Sequence, residues 1–135
     1  MNLIIHTDGG SLNNPGPAAI GFLIHEGPKC LYKHSEAIGV ATNNVAEYTA
    51  LIRALRYVID HFSGQVERIS VIADSELMVR QMNGLYKVKH ADIKPLHTDV
   101  KLLEMELGIP VTYTHVLRDK NAEADALVKK ALGRD

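Results

Sequence analysis

"LIIHTDGGSLNNPGP" occupies residues 3–17. Its apolar run, Leu3 to Thr7, reads as a buried strand. The run ends on Asp8, and the glycine pair and Asn-Asn-Pro-Gly-Pro that follow have the composition of a turn. A second apolar run, "ERISVIAD" at 67–74, ends the same way on Asp74. Two carboxylates at the carboxyl ends of apolar strands point to the crevice where open α/β sheets bind ligands. Each also has an ordinary explanation. Asp8 can make an Asx-turn into the glycine loop, and Asp74 can cap a helix starting after it.

Outward from these runs, the chain reads as strands at 2–7, 19–25 and 29–37, joined by short turn-rich connections that imply antiparallel neighbours. "TNNVAEYTALIRALRYVIDHF" then reads as a helix over 44–62, because Tyr48, Leu51, Ile52, Leu55, Val58 and Ile59 follow helical spacing. A strand at 67–73 precedes a short helix, "SELMVRQMN", closed by Gly84. A polar stretch leads to a helix from Pro95 to 107, stopped by Gly108 and Pro110. "VTYTHV" is the last strand and "NAEADALVKKAL" the last helix. This order predicts an α/β fold in which a hairpin-built first half shares one mixed sheet with a crossover-built second half.

At 135 residues, 46% hydrophobic and 23% charged, the chain is long enough for one globular domain with a sizeable core, expected over 1–135. Fifteen basic and 16 acidic side chains give a net charge of −1, so any contact with nucleic acid must be local. Cys30, the only cysteine, excludes an internal disulfide and a Cys-rich zinc site. No stretch approaches the roughly 20 apolar residues of a membrane span, and the N-terminus lacks signal-peptide regions. A cytoplasmic location without membrane contact is expected.

Two further acids stand out. At about 100° per residue, Leu51, Ala54 and Val58 lie within about 40° of Glu47 on the helix wheel. Arg53, Arg56 and Asp60 occupy the opposite face, so Glu47 points toward the sheet. A capping box, with Asn44 as N-cap and Glu47 three residues on, is the alternative. Asp125 shares a face with Val128 and Leu132, and its alternative is an ion pair with Lys129 one turn on. Together, two strand ends and two helix starts can bring four acids to one rim of the sheet. Their mutual repulsion calls for a divalent cation, and an all-oxygen ligand set suits Mg²⁺ or Mn²⁺ better than zinc.

Five stretches in order, "TDGGSLNNPGPAAIG", "TNNVAEYTAL", "ADSELMVRQMNG", "YKVKHADIKPL" and "HVLRDKNAEADALV", resemble the type 1 ribonuclease H family over nearly the whole chain. The resemblance implies a ribonuclease H-like fold: a five-stranded mixed sheet, strands 1–3 antiparallel, 4 and 5 parallel to 1, flanked by helices. It implies an endonuclease that cuts the RNA strand of RNA/DNA hybrids, leaving 3′-hydroxyl and 5′-phosphate ends. The family's metal ligands fall on Asp8, Glu47, Asp74 and Asp125. Asp8 would be shared by two Mg²⁺ ions, with Mn²⁺ able to substitute; Glu47 and Asp74 would complete one ion's site and Asp125 the other's. Two-metal phosphodiester hydrolysis activates a water and relieves charge on the leaving oxygen.

By the same resemblance Thr42 would contact a DNA phosphate, and Asn43 and Asn44 the bases in the minor groove; a helix cap is the alternative for one of the three. Ser75, Glu47 and the backbone near Asn14 would sense RNA 2′-hydroxyls, which separate RNA from DNA. His115 falls where the family places a histidine that assists proton transfer or product release, with a strand histidine as the alternative. His6 is read as structural. The chain departs from the family in two places. "HVLRDKN" lacks the glycine many members carry after that histidine. No tryptophan-containing basic protrusion is present, and only Lys87, Lys89 and Lys94 offer local positive charge, so modest affinity for hybrid is expected. No separate hybrid-binding domain and no obligate protein partner are expected, and the chain is expected to be a monomer. The competing functions are a metal-dependent 3′–5′ exonuclease, a catalytically silent binding module, and a P-loop nucleotide binder. The last fails because no Gly-Lys-Ser/Thr follows the glycine turn.

Overall fold

A computed structural model of the chain describes residues 1–134. The elements run β1 (Asn2–Ser11), β2 (Gly16–Glu26), β3 (Lys29–Ala41), α1 (Asn43–Phe62), β4 (Arg68–Ala73), α2 (Glu76–Met82), α3 (Lys94–Leu107), β5 (Val111–His115), a 3-10 turn (Arg118–Asn121) and α4 (Ala122–Ala131). The sheet order is β3-β2-β1-β4-β5. β1–β2 and β2–β3 pair antiparallel, while β1–β4 and β4–β5 pair parallel. This is the mixed sheet the sequence predicts.

The three hairpin strands are longer than their apolar patterns. β1 continues past Thr7 through Gly9, Gly10 and Ser11, which pair with Ile20, Ala19 and Ala18. β2 accordingly starts at Gly16, not 19, and β3 runs to Ala41, not 37. The glycine pair that reads as a turn is therefore strand. Its backbone is held by the ladder, and its missing side chains are required by packing rather than by turn geometry. A Cβ on Gly9 would stand 2.6 Å from the backbone nitrogen of Glu47 and closer still to the carbonyl group of Ala46. A Cβ on Gly21 would stand 2.6 Å from Leu127 Cβ and 2.9 Å from the Ala124 carbonyl oxygen. Adjacent strand residues face opposite sides, and Gly21 pairs with Asp8, the neighbour of Gly9. Hence α1 presses on one face of β1 at Gly9, and α4 presses on the other face of the sheet at Gly21.

The core lies between the sheet and α1. Leu3, Ile5, Ile69 and Val71 from the strands meet Leu51, Leu55 and Val58 from α1, all at most 1% exposed. Replacing one such leucine by alanine costs ~2–5 kcal/mol. The helix punctuation behaves as the sequence predicts: Gly84 and Gly108 take left-handed conformations after α2 and α3, and Pro95 sits in the first turn of α3. Among the described residues no helix is long and apolar enough to cross a membrane.

Candidate active site

The parallel ladder between β1 and β4 ends at the pair Thr7–Ala73. Asp8 and Asp74 are the next residues on each strand, so the register alone sets them side by side. Asp8 does not close its strand, as the sequence reading held; its backbone pairs with Gly21 inside the β1–β2 ladder. An Asx-turn is thereby excluded. Asp74 is not a helix cap either, because Ser75 caps α2, accepting from the Met78 amide at 3.3 Å. The capping box also fails. Thr42 caps α1 through its hydroxyl, which accepts from the Val45 amide at 3.2 Å, leaving Glu47 one turn further in and buried.

Asp8, Glu47 and Asp74 each present a carboxylate oxygen within 4.8 Å of the other two. Asp8 is 6% exposed and Glu47 8%. Glu47 Oε1 and Asp74 Oδ2 are buried with no hydrogen-bond partner. Burial, then the Asp74 and Asp125 charges, push the Asp8 carboxyl up to about 8, and Asp74 shares a hydrogen bond with it. Burial pushes Glu47 well above the carboxylate range, with Asp8 and Asp74 adding to it and the Gly9 backbone and Arg118 opposing. The nearest cation is Arg118, whose Nε lies 4.0 Å from Asp74 Oδ2 on a largely exposed side chain. It does not neutralise the cluster. Buried carboxylate oxygens without partners, crowded on one point and all hard donors, fit a Mg²⁺-class ion.

Asp125, on the first turn of α4, stands at the edge of this group and outside the three-carboxylate cluster. It lies near enough to act on Asp8, and it forms a 2.9 Å pair with Lys129. The pair offered as its alternative explanation is therefore real, alongside its nearness to Asp8. His115 ends β5 one strand over, in register with Ala73. The segment after it tightens into the 3-10 turn rather than a glycine loop.

Asn14, Thr42, Asn43 and Asn44 line one cavity of about 370 Å³ together with His90 and Ile93. They also order one another. The Asn43 amide donates to Asn14 Oδ1 at 2.9 Å, and Asn43 Oδ1 accepts from the Ser11 amide and hydroxyl at 2.9 and 3.1 Å. Sequence reasoning missed three contributors. Ser11 sits in the stretch whose composition reads as a turn, yet it is the last residue of β1. Arg118 carried no pattern beyond its place between His115 and Asp125. Asn121, 1% exposed, donates through Nδ2 to the Thr7 carbonyl at 2.8 Å and so ties the start of α4 to the strand carrying Asp8.

Comparison with known proteins agrees with this geometry. A family model described as reverse transcriptase-like matches residues 6–131. A bifunctional protein of Mycobacterium tuberculosis is 39% identical over 134 residues, covering 98% of this chain; the chain spans only 36% of that protein's length. A ribonuclease H1 solved in complex with RNA/DNA hybrid is 43% identical with a TM-score of 0.92, covering 97% of this chain and 96% of that one. The ribonuclease H1 of the halophilic archaeon Halobacterium salinarum is 34% identical with a TM-score of 0.90, covering 98% of both chains. With the strand order, the buried carboxylates and these relatives in agreement, the chain belongs to the type 1 ribonuclease H family.

Proposed function

We propose that residues 1–135 form a catalytic domain that hydrolyses the RNA strand of RNA/DNA hybrids internally, leaving 3′-hydroxyl and 5′-phosphate ends. The observation that carries this is the crowding of Asp8, Glu47 and Asp74 within 4.8 Å with buried oxygens left unpartnered, at the rim of a ribonuclease H sheet. Two Mg²⁺ ions, or Mn²⁺ in their place, supply when bound an activated water and relief of charge on the leaving oxygen. Asp8, Glu47, Asp74 and Asp125 hold them.

The chain's own residues do the rest. Burial and mutual repulsion favour the protonated carboxyls of Asp8 and Glu47 in the metal-free cluster, and a bound cation would favour their ionised forms. Asn14, Thr42, Asn43 and Asn44 present amides and a hydroxyl to the hybrid beside the cluster, and such groups position a backbone without reading sequence. Ser75, adjacent to Asp74, and Glu47 stand where a 2′-hydroxyl is tested. His115, at the end of β5, handles a proton near the leaving group or aids release of product.

End-labelled RNA/DNA, RNA/RNA and DNA/DNA duplexes of one sequence, with Mg²⁺, Mn²⁺ or chelator, test the proposal. Internal cuts confined to the RNA strand of the hybrid, lost in chelator, are expected. Cleavage of the DNA strand at a comparable rate, or trimming from an end, would reject it.

A further inference from the structure

Apart from the tyrosines, the polar and charged side chains buried among the described residues are Thr7, Asp8, Glu47, Gln81 and Asn121. Thr7, Asp8, Glu47 and Asn121 form the acid cluster or the bond that ties α4 to the strand behind it. Gln81 remains, and the proposed function gives it no part. It lies on α2 beside buried Met78, Val79 and Met82, where an apolar residue is the ordinary choice. Its partner is the buried Tyr48 on α1, whose hydroxyl donates to Gln81 Oε1 at 2.7 Å.

The Gln81 amide has one orientation. Its Nε2 faces the Lys87 carbonyl at 3.5 Å, a place where the amide oxygen would be repelled, so Oε1 is left for Tyr48. Replacing both partners of such a bond by apolar groups of the same shape is nearly neutral for stability. What the bond adds over an apolar contact is direction. Both of its ends are close in sequence to the cluster. Tyr48 directly follows Glu47, and α2 starts two residues after Asp74. α2 spans only Glu76–Met82, too short for its own hydrogen bonds to fix its course. It is tied to β5 through Asn83, which donates to the Tyr113 carbonyl at 3.2 Å, and to α1 through Tyr48.

We propose that Tyr48 and Gln81 are a positioning pair for the carboxylate cluster: their bond fixes the helix that carries Glu47 against the helix that follows Asp74, and so keeps the two carboxylates together when no ion is bound. The proposal rests on the reading of the cluster as a metal site. Neither residue touches the ion or the hybrid. Without the bond, α1 and α2 still share the apolar core, but nothing directional sets one against the other. Binding an ion must then first draw the carboxylates together, and that loss of preorganisation lowers affinity.

The test compares the wild type with Tyr48→Phe, Gln81→Met, the double variant, and Val100→Ala, a core truncation on α3. Calorimetric titration of the substrate-free chain with Mg²⁺ reads metal affinity, and melting in chelator reads stability. Each single variant leaves a buried polar group without its partner and should lower Tm. Each should also weaken Mg²⁺ binding about threefold to tenfold, less than the roughly 10–100-fold of a group bonded to a metal ligand itself. The double variant should regain most of the Tm and none of the Mg²⁺ affinity. Val100→Ala should lower Tm and bind Mg²⁺ like the wild type. Either single variant suffices if the other folds poorly. Wild-type Mg²⁺ affinity in a folded single variant, or affinity that merely follows Tm across the set, would overturn the pair and leave the metal site standing. A wild type that takes up no Mg²⁺ would overturn both.

Discussion

Asn121 Nδ2 donates a 2.8 Å hydrogen bond to the carbonyl of Thr7, joining residues 114 positions apart. Thr7 immediately precedes Asp8, and Asn121 is the N-cap residue of the helix that carries Asp125 one turn later. Its side chain makes no cap bond to its own helix. The side-chain oxygen that could cap the helix has no partner, and the amide nitrogen reaches the neighbouring strand instead. The bond ties the start of the Asp125 helix to the strand that carries Asp8.

Asn121→Ala removes a buried donor and leaves a buried carbonyl unmatched, a loss of ~1–3 kcal/mol in stability. Because Asn121 positions rather than contacts substrate, kcat on hybrid should fall while KM changes little. Melting curves and steady-state kinetics on a labelled hybrid check both. A lowered Tm with unaltered kcat would reduce Asn121 to a structural tie.

The raised Asp8 carboxyl gives the metal-free protein an inverted response to pH. Folded, Asp8 keeps its proton up to about 8; unfolded, it loses it near its ordinary value of 3.8. The proton-linked stabilisation is complete below 3.8 and disappears as pH rises to about 8. In chelator the Tm of the wild type should therefore fall across this window. Asp8→Asn should flatten the fall, raise Tm at its alkaline end and nearly abolish turnover. Added Mg²⁺ should stabilise the wild type more than the variant, because only the intact cluster binds it fully. Parallel pH–Tm profiles for the two proteins would remove Asp8 from the cluster's electrostatics.

Gly9 and Gly10 are neighbours on β1 with opposite surroundings. A Cβ at Gly9 enters the α1 backbone, whereas one at Gly10 meets its nearest atom, Val128 Cγ1, at an ordinary 3.8 Å. Gly9→Ala should cost ~1–3 kcal/mol by forcing α1 outward, and it should raise the Mg²⁺ concentration needed for activity by moving Glu47. Gly10→Ala should stay within about 0.5 kcal/mol of the wild type. Denaturant melts and Mg²⁺ titrations of activity compare them. Equal effects at both positions would contradict the packing that sets Glu47 against the strand.

His115→Ala should slow turnover within the roughly 10²–10⁴-fold typical of a lost acid–base group while leaving the metal requirement intact. Its place in register with Ala73, one residue from Asp74, sets it beside the cluster but outside it. Single-turnover and multiple-turnover rates separate proton transfer from product release. Wild-type rates in both regimes would return His115 to a strand role.

Much of this protein is legible in its residues taken alone. The apolar runs ending in Asp8 and Asp74 single out the two carboxylates that the sheet sets side by side, and the period of Leu51, Ala54 and Val58 turns Glu47 inward, because patterns of period 2 and 3.6 decide which side of an element is buried. The glycine pair was legible only as composition. Nothing local distinguishes a glycine needed for a turn from one needed because a helix backbone lies against it. Gly9 is the second kind, so β1 runs four residues past its apolar stretch. The caps show the same limit. Thr42, Asn43 and Asn44 are all competent to cap α1, and the choice of Thr42 frees Asn43 to bind Ser11 and Asn14.

The sequence by itself determined the element order, the inward face of α1, and the acids that converge, since each follows from local period and composition. Tertiary structure alone decided how closely they converge. The Thr7–Ala73 register aligns Asp8 with Asp74, and the bare Gly9 surface admits Glu47. Asn121 reaches back across 114 residues to hold α4. Asp125 stands outside the three-carboxylate cluster, paired with Lys129 on a helix that lies against Gly21, a contact that arises only when the two halves of the chain meet.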